Sequence, residues 1–390
     1  MAGRPRLEAI DLWRGFALLT IFVNHIPGNV LEHLTHRNLG FSDGAEAFVF
    51  LAGVSIAIAY GRALSRDGYV AVALKCARRA WTLYRAHLLL SVALVGSLAL
   101  LHVLTGLDHW LEVNGSAAVF GDTTRGVLGL LMLSFQLGYL NILPLYVILM
   151  LWAPAALILA RLYPAIALAV SATIYVAAQM KGLSLPNWPQ PGAWFFNPFA
   201  WQFLMTLGIV AGMRWQARPV AYSPALLAGA LAILVASAFV ETDGLGLVPG
   251  LRAAFYERFD LQKTDLAWLR LVHFLALAYA LTQVPVARLL GDTAAGRAIA
   301  GLGRHGLTVF LAGTMLSLAS QLLMLLVEEH HSAAVQPVGL IVTLLGIAFL
   351  FLIVRYREWS AAPPAGMPEV LPSARSWAAS RPAEPLPRSS

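Results

Sequence analysis

Ten apolar runs, each long enough or nearly long enough to cross about 30 Å of hydrocarbon, divide this chain and restrict its fold more than any other feature. They lie approximately at Ile10 to Ile26, Ala45 to Tyr60, Ala86 to Thr105, Ile142 to Ala160, Ala165 to Met180, Phe199 to Met213, Pro224 to Val240, Leu266 to Val284, Leu307 to Val327 and Val338 to Val354. A water-soluble fold could not hide them. The chain is 59% apolar and 12% charged, against about 45–50% and about 25% in an ordinary soluble domain. The expected fold is therefore all-α, a polytopic transmembrane helical bundle of about ten helices occupying 1–358. The remaining stretch, 359–390, is rich in Pro, Ala, Ser and Arg, cannot build a core, and is expected to be a disordered cytoplasmic tail.

Lysine and arginine collect in short clusters between the runs: Arg62, Arg66, Lys75, Arg78, Arg79 and Arg85, then Arg161, Arg214 and Arg218, then Arg288, Arg297, Arg304, Arg355 and Arg357. With both termini cytoplasmic these clusters fall inside, as a bacterial inner-membrane topology requires. The outer segments then hold Asp43, Glu46, Asp108, Glu112, Glu328 and Glu329, with Arg125, Arg252, Arg258 and Lys263 as exceptions. The net charge of +7 is thus a topology signal, and no nucleic-acid partner is expected. Cys76 is the sole cysteine, which excludes an intramolecular disulfide and a cysteine-rich metal site. The stretch from Gly106 to Gln136 is too long for a tight turn and is expected to be re-entrant or interfacial. Prolines and aromatics between Lys181 and Pro198 suit an interfacial belt.

Ionisable groups inside a span cost at least about 2.5–3.5 kcal/mol each, so those present are functional candidates. The first run carries Asp11, Arg14 and His25. Arg14 and His25 are eleven residues apart, close to three helical turns, which puts both on one face about 16 Å apart along the axis. Asp11 lies one turn below Arg14, so a polar stripe runs the length of the helix. Asp11 and Arg14 also read as an interfacial intrahelical pair, with His25 merely capping the outer end.

Asp43 and Glu46 open the second run and share the outer end with His25. A neutral imidazole oriented by a carboxylate can accept a proton from a hydroxyl nucleophile, the base half of acyl transfer. Solvated loop acids are the plainer alternative. Arg78, Arg79 and Arg85 stand where a phosphate-bearing ligand would approach from the cytoplasm, with His87 just inside the membrane; such a cluster is more usually a topology signal or a lipid-headgroup contact. Arg270 and His273 lie one turn apart in the eighth run. An arginine there needs an anionic partner, which Glu241, Asp243, Asp265 or a carboxylate substrate would supply.

These residues carry a resemblance. The segment RLEAIDLWRGFALLTIFVNH resembles the opening of the acyltransferase-3 superfamily, whose first helix carries Arg, ten residues, then His, here Arg14 and His25. Further phrases resemble the OpgC family: AEAFVFLAGVSIAIAYG from Ala45, RAWTLYRAHLLL from Arg79, NILPLYVILML from Asn141, NPFAWQFLMTLG from Asn197 and GRHGLTVFLAGTMLSLASQ from Gly303. Departures are Gly306, where a serine is expected, and Asn24, which has no evident role. The resemblance implies an inner-membrane acyltransferase that moves an acyl group, succinyl in the namesake branch, from cytoplasmic acyl-CoA (succinyl-CoA) as co-substrate to periplasmic glucans. It implies His25 as the essential histidine and Arg14 as its motif partner.

On that basis His25, with Glu46 or Asp43 orienting it, is the expected catalytic group. Arg14, Arg78, Arg79, Arg85 and Arg304 are expected to hold the donor, and Arg270, His273, His87 and Asp11 to contact substrate. The competing reading is a transporter or flippase in which Arg14, Arg270 and His273 line a path for an anion or proton. Neither related halves nor matched broken helices are evident in the sequence to favour it.

Overall fold

In the computed structural model residues 4–361 are described, and they form helices joined by turns. The sole extended pairing among them is an isolated antiparallel bridge between Pro186 and Ala193. Of the tail expected from 359 onward, the first three residues continue the last helix and the rest lies outside the described residues.

Helix α1 (Arg4–Asn24) passes through two short 3-10 turns into the long α2 (Gly44–Thr105). Short helices α3 (Ala117–Gly121) and α4 (Thr123–Leu131) precede α5 (Ile142–Leu162), α6 (Pro164–Lys181), α7 (Pro198–Ala217) and α8 (Pro224–Glu241). Then come α9 (Leu251–Arg258), α10 (Trp268–Gln283), α11 (Val286–Gly291), α12 (Ala294–Arg304), α13 (Gly306–His330) and α14 (Val335–Ala361). Local chemistry sets these bounds. Asp43 and Glu46 form a capping box that starts α2: the Ala45 N–H donates to Asp43 Oδ1 at 2.8 Å and the Asp43 N–H to Glu46 Oε2 at 2.9 Å. Asn197 and Ser223 cap α7 and α8 just before a proline at the first helical position.

Each of the ten apolar runs is mainly helical. Among the described residues six segments, containing α2, α5, α6, α8, α13 and α14, are long and apolar enough to cross a membrane, and the chain is a membrane protein. The second and third runs both lie in α2, whose helical geometry breaks at one residue, Gly68 (φ 79°, ψ 175°). Where the sequence places a basic loop, the chain therefore stays helical up to and beyond a single glycine. Asp67 sits at that break and binds Arg66 at 2.6 Å and Lys75 at 2.7 Å.

The three other runs lie in α1, α7 and α10. These are the more polar or shorter helices, and they face protein. α7 buries Gln202 and Thr206, and α10, only 16 residues long, buries His273. α8, by contrast, buries only Ala230 and Ser237. Interior helices tolerate polar groups because neighbouring helices satisfy them, whereas a lipid-facing helix has nothing to offer a charge. α2 and α7 cross closely where Gly53 packs on the Met205 backbone and Gly208 on the Phe50 carbonyl, with no room for a Cβ at either. α1 meets α12 in the same way, at Gly15 against Ile299 and at Gly303 against Asp11.

The segment between α2 and α5 folds back along α2. Tyr84 donates its hydroxyl to the Leu131 carbonyl at 2.8 Å, and Tyr84 lies 21 residues before the end of α2, roughly 30 Å of helix. Buried Trp110, Leu130, Leu133, Phe135, Leu137 and Leu140 anchor the segment.

Candidate functional site

Arg14 and His25 both turn toward neighbouring elements of the bundle. Arg14 Nη2 donates to Ser55 Oγ on α2, and Nη1 lies 3.4 Å from Asp11 Oδ1. Tyr146 of α5 is buried within electrostatic reach of Arg14 and Arg79, and its hydroxyl has no hydrogen-bond partner among the described residues. Eleven residues on, the half-buried His25 ring meets Tyr139 edge-on, with centroids 4.8 Å apart and planes at 73°. Its backbone is held from both sides: the His25 N–H donates to the Phe22 carbonyl at 3.1 Å, and Gln321 of α13 donates to the His25 carbonyl at 2.8 Å. Asn24 has a structural task, since its Oδ1 accepts from Thr35 Oγ1 at 2.8 Å and ties the end of α1 to the following turn.

A four-membered ion network occupies the same end. Arg270 reaches across from α10 to Glu46 Oε1 at 2.7 Å and Asp43 Oδ2 at 3.3 Å, and Lys263 reaches Asp43 Oδ2 at 2.6 Å. The Glu46 side chain is completely buried and that of Arg270 is 11% exposed. Burial works against the Asp43 carboxylate, but the Lys263 ammonium and Arg270 guanidinium outweigh it and hold this carboxyl well below the usual carboxylate range. One turn along α10, His273 Nδ1 lies 2.8 Å from Ser42 Oγ. Gly40 packs so tightly on the other edge of that ring that a side chain there would collide with it.

The structure thus groups His25, Asp43, Glu46, Arg270 and His273 at one end, and Asp11, Arg14, Arg79 and Arg304 at the other. It does not join the two acids to the histidine: among the described residues neither carboxylate is hydrogen-bonded to the His25 ring, and both answer to Arg270 and Lys263. The anionic partner of Arg270 is also not one of the three acids considered from sequence. Glu241 pairs with Arg252 at 2.9 Å, Asp243 accepts from the Arg252 N–H at 2.7 Å and Asp265 accepts from Asn197 at 2.7 Å. The reason is topological, because the α2 capping box faces α10 only once the chain has folded.

Arg78, Arg79 and Arg85 are exposed, with Arg85 over the Trp81 ring at 5.9 Å. Arg304 pairs with Glu358 at 2.8 Å and lies within electrostatic range of Asp11. His87 is fully buried with its ring toward the Leu140 backbone, and among the described residues neither ring nitrogen has a hydrogen-bond partner of standard geometry. Sequence reasoning passed over Ser55, Tyr139, Tyr146 and Gln321, which carry no signal apart from their neighbours. Lys263 was legible only as a cation on the acid-rich side. Among the described residues no group of three His, Cys, Asp or Glu could hold a metal.

A family profile described as OpgC protein matches residues 6–362. The chain belongs to the OpgC family. No curated protein and no solved structure matches it. The OpgC match takes in α1 from Arg6 onward and every residue of both clusters, so the Arg14 and His25 ends fall within one family domain.

Proposed function

We propose that this OpgC-family chain is a multi-pass inner-membrane acyltransferase of the acyltransferase-3 type, moving an acyl group, succinyl by family resemblance, from cytoplasmic acyl-CoA to a hydroxyl of a periplasmic glucan. The observation that carries the proposal is the placement of Arg14 and His25 on one helix, the first against Ser55 of α2 and the second against Tyr139 and Gln321. A seam facing protein can conduct a polar ligand; a seam facing lipid cannot.

The Arg14 end supplies the donor side. Arg14, Arg79 and the exposed Arg78 and Arg85 offer cations to the phosphates of CoA, with Arg304 beside them, and the pantetheine arm lies along α1 toward His25. At the other end the neutral imidazole takes the proton of the attacking sugar hydroxyl as its oxygen bonds to the thioester carbonyl carbon. The tetrahedral intermediate expels the sulfur, the C–S bond breaks, and the imidazolium returns the proton to the thiolate, leaving an ester and free CoA thiol. Asp43 and Glu46 act through Arg270 and Lys263 as a scaffold that fixes the mouth of the site.

The transport reading needs Arg270 and His273 to line an open path. Both are hydrogen-bonded, to Glu46 and Ser42 respectively, so that pair gives transport no support. Purified protein supplied with labelled succinyl-CoA and glucan tests the proposal. His25→Ala should cut thiol release by about 10²–10⁴-fold, while Lys75→Ala, at the α2 break, should retain it. Solute uptake into liposomes without acyl transfer would contradict the proposal.

A further inference from the structure

The turn that carries Tyr139 is built in an unusual way. Tyr139 has φ of 65°, in the left-handed region that favours glycine, although Gly138 stands directly before it and does not take that conformation. Leu137 and Leu140 on either side are both fully buried, while Tyr139 is 43% exposed. The turn is pinned from across the segment by Asn114, itself left-handed at φ 56°, whose carbonyl accepts the Gly138 N–H at 2.8 Å. Side chains held in such conformations persist only where the surroundings over-determine them, and they gather at ligand sites. Here the result is an aromatic ring placed edge-on against His25 with part of its surface open.

The exposed part of the Tyr139 ring leaves its surface open to a ligand beside His25. An open phenol ring beside a proton acceptor matches the needs of a pyranose. Its C–H face packs on an aromatic ring while its hydroxyls hydrogen-bond at the rim.

We infer that Tyr139 is the acceptor platform, a sugar-stacking residue that lays one glucose unit of the glucan against His25. The inference rests on the proposed acyl transfer for the role of His25, but its test does not. Binding of glucose hexasaccharides, one for each common linkage, is measured by calorimetry on the purified full-length protein without any acyl donor. Tyr139→Phe should keep affinity within about threefold, because the ring remains, and Tyr139→Gly should lose about tenfold or more. Glycine suits the left-handed backbone, so Tyr139→Gly removes the ring without straining the turn, and an unchanged unfolding temperature checks that the fold persists.

In the transfer assay Tyr139→Gly should raise the KM for glucan while leaving acyl-CoA affinity unchanged. Wild-type binding by Tyr139→Gly, equal loss in the Phe and Gly variants, parallel loss of acyl-CoA affinity, or no hexasaccharide binding by the unaltered protein would each overturn the platform. If glucan binding depends on the ring but no thiol is ever released, the platform stands and the acyltransferase proposal fails.

Discussion

At the His25 end of α1 the buried charges Asp43, Glu46 and Arg270, with Lys263, are matched two against two within hydrogen-bonding distance, whereas at the Arg14 end cations outnumber their partners. The one ion pair of Arg14 among the described residues is a 3.4 Å contact with Asp11, and Arg78 and Arg79 form none. Closed networks fix geometry and present little net field to a ligand. Unbalanced cations invite an anion. Under the proposed transfer this contrast suits the two ends to different tasks, a rigid mouth for an uncharged sugar beside His25 and an electrostatic landing for phosphates beside Arg14.

The sharpest way to break the comparison is to unbalance the closed end. Arg270→Met strands the fully buried Glu46 carboxylate, and removing one partner of such a pair costs about 3–5 kcal/mol. Thermal unfolding in detergent should show that loss, and pairing the change with Glu46→Gln should recover much of it. Little loss in the single variant would mean that the network is dispensable to the fold. Next in size, Arg14→Ala should weaken acyl-CoA binding by about tenfold, as expected for a lost charge-assisted hydrogen bond, while glucan affinity stays unchanged. Unaltered acyl-CoA binding would detach the donor from α1.

The smallest effect sharpens the open end. Tyr146→Phe deletes a buried hydroxyl that has no hydrogen-bond partner among the described residues, so stability should change by less than about 1 kcal/mol. A fall in acyl-CoA affinity without a fall in stability would place that hydroxyl on the donor.

How much of this was legible beforehand differs between the two ends. The apolar runs predict the helices well, because length and hydropathy are local properties, and helical spacing alone puts Asp11, Arg14 and His25 on one stripe. The break in α2 was not read: a basic stretch such as Arg62 to Arg85 reads as a connection between two runs, whereas it is helical on both sides of Gly68. Long-range partners were not legible. The contact between Glu46 and Arg270 spans 224 positions, and nothing in either neighbourhood specifies it. Glu46 gives a local reason to cap α2 and none to reach α10. Tyr139 was hidden for the opposite cause: its place beside His25 depends on a turn whose left-handed backbone is invisible in LGYLN.

The central claim is that one polar seam along α1 connects an anion-binding end to an imidazole. It is tested most directly by a cryo-EM structure of the protein with a non-hydrolysable thioether analogue of succinyl-CoA. The account predicts phosphate density beside Arg14 and Arg79, the pantetheine arm along α1, and the thioether sulfur next to the His25 ring. Analogue density elsewhere, for example in the groove of about 730 Å³ lined by His305, Phe349, Tyr356 and Arg357, with His25 facing lipid, would contradict it.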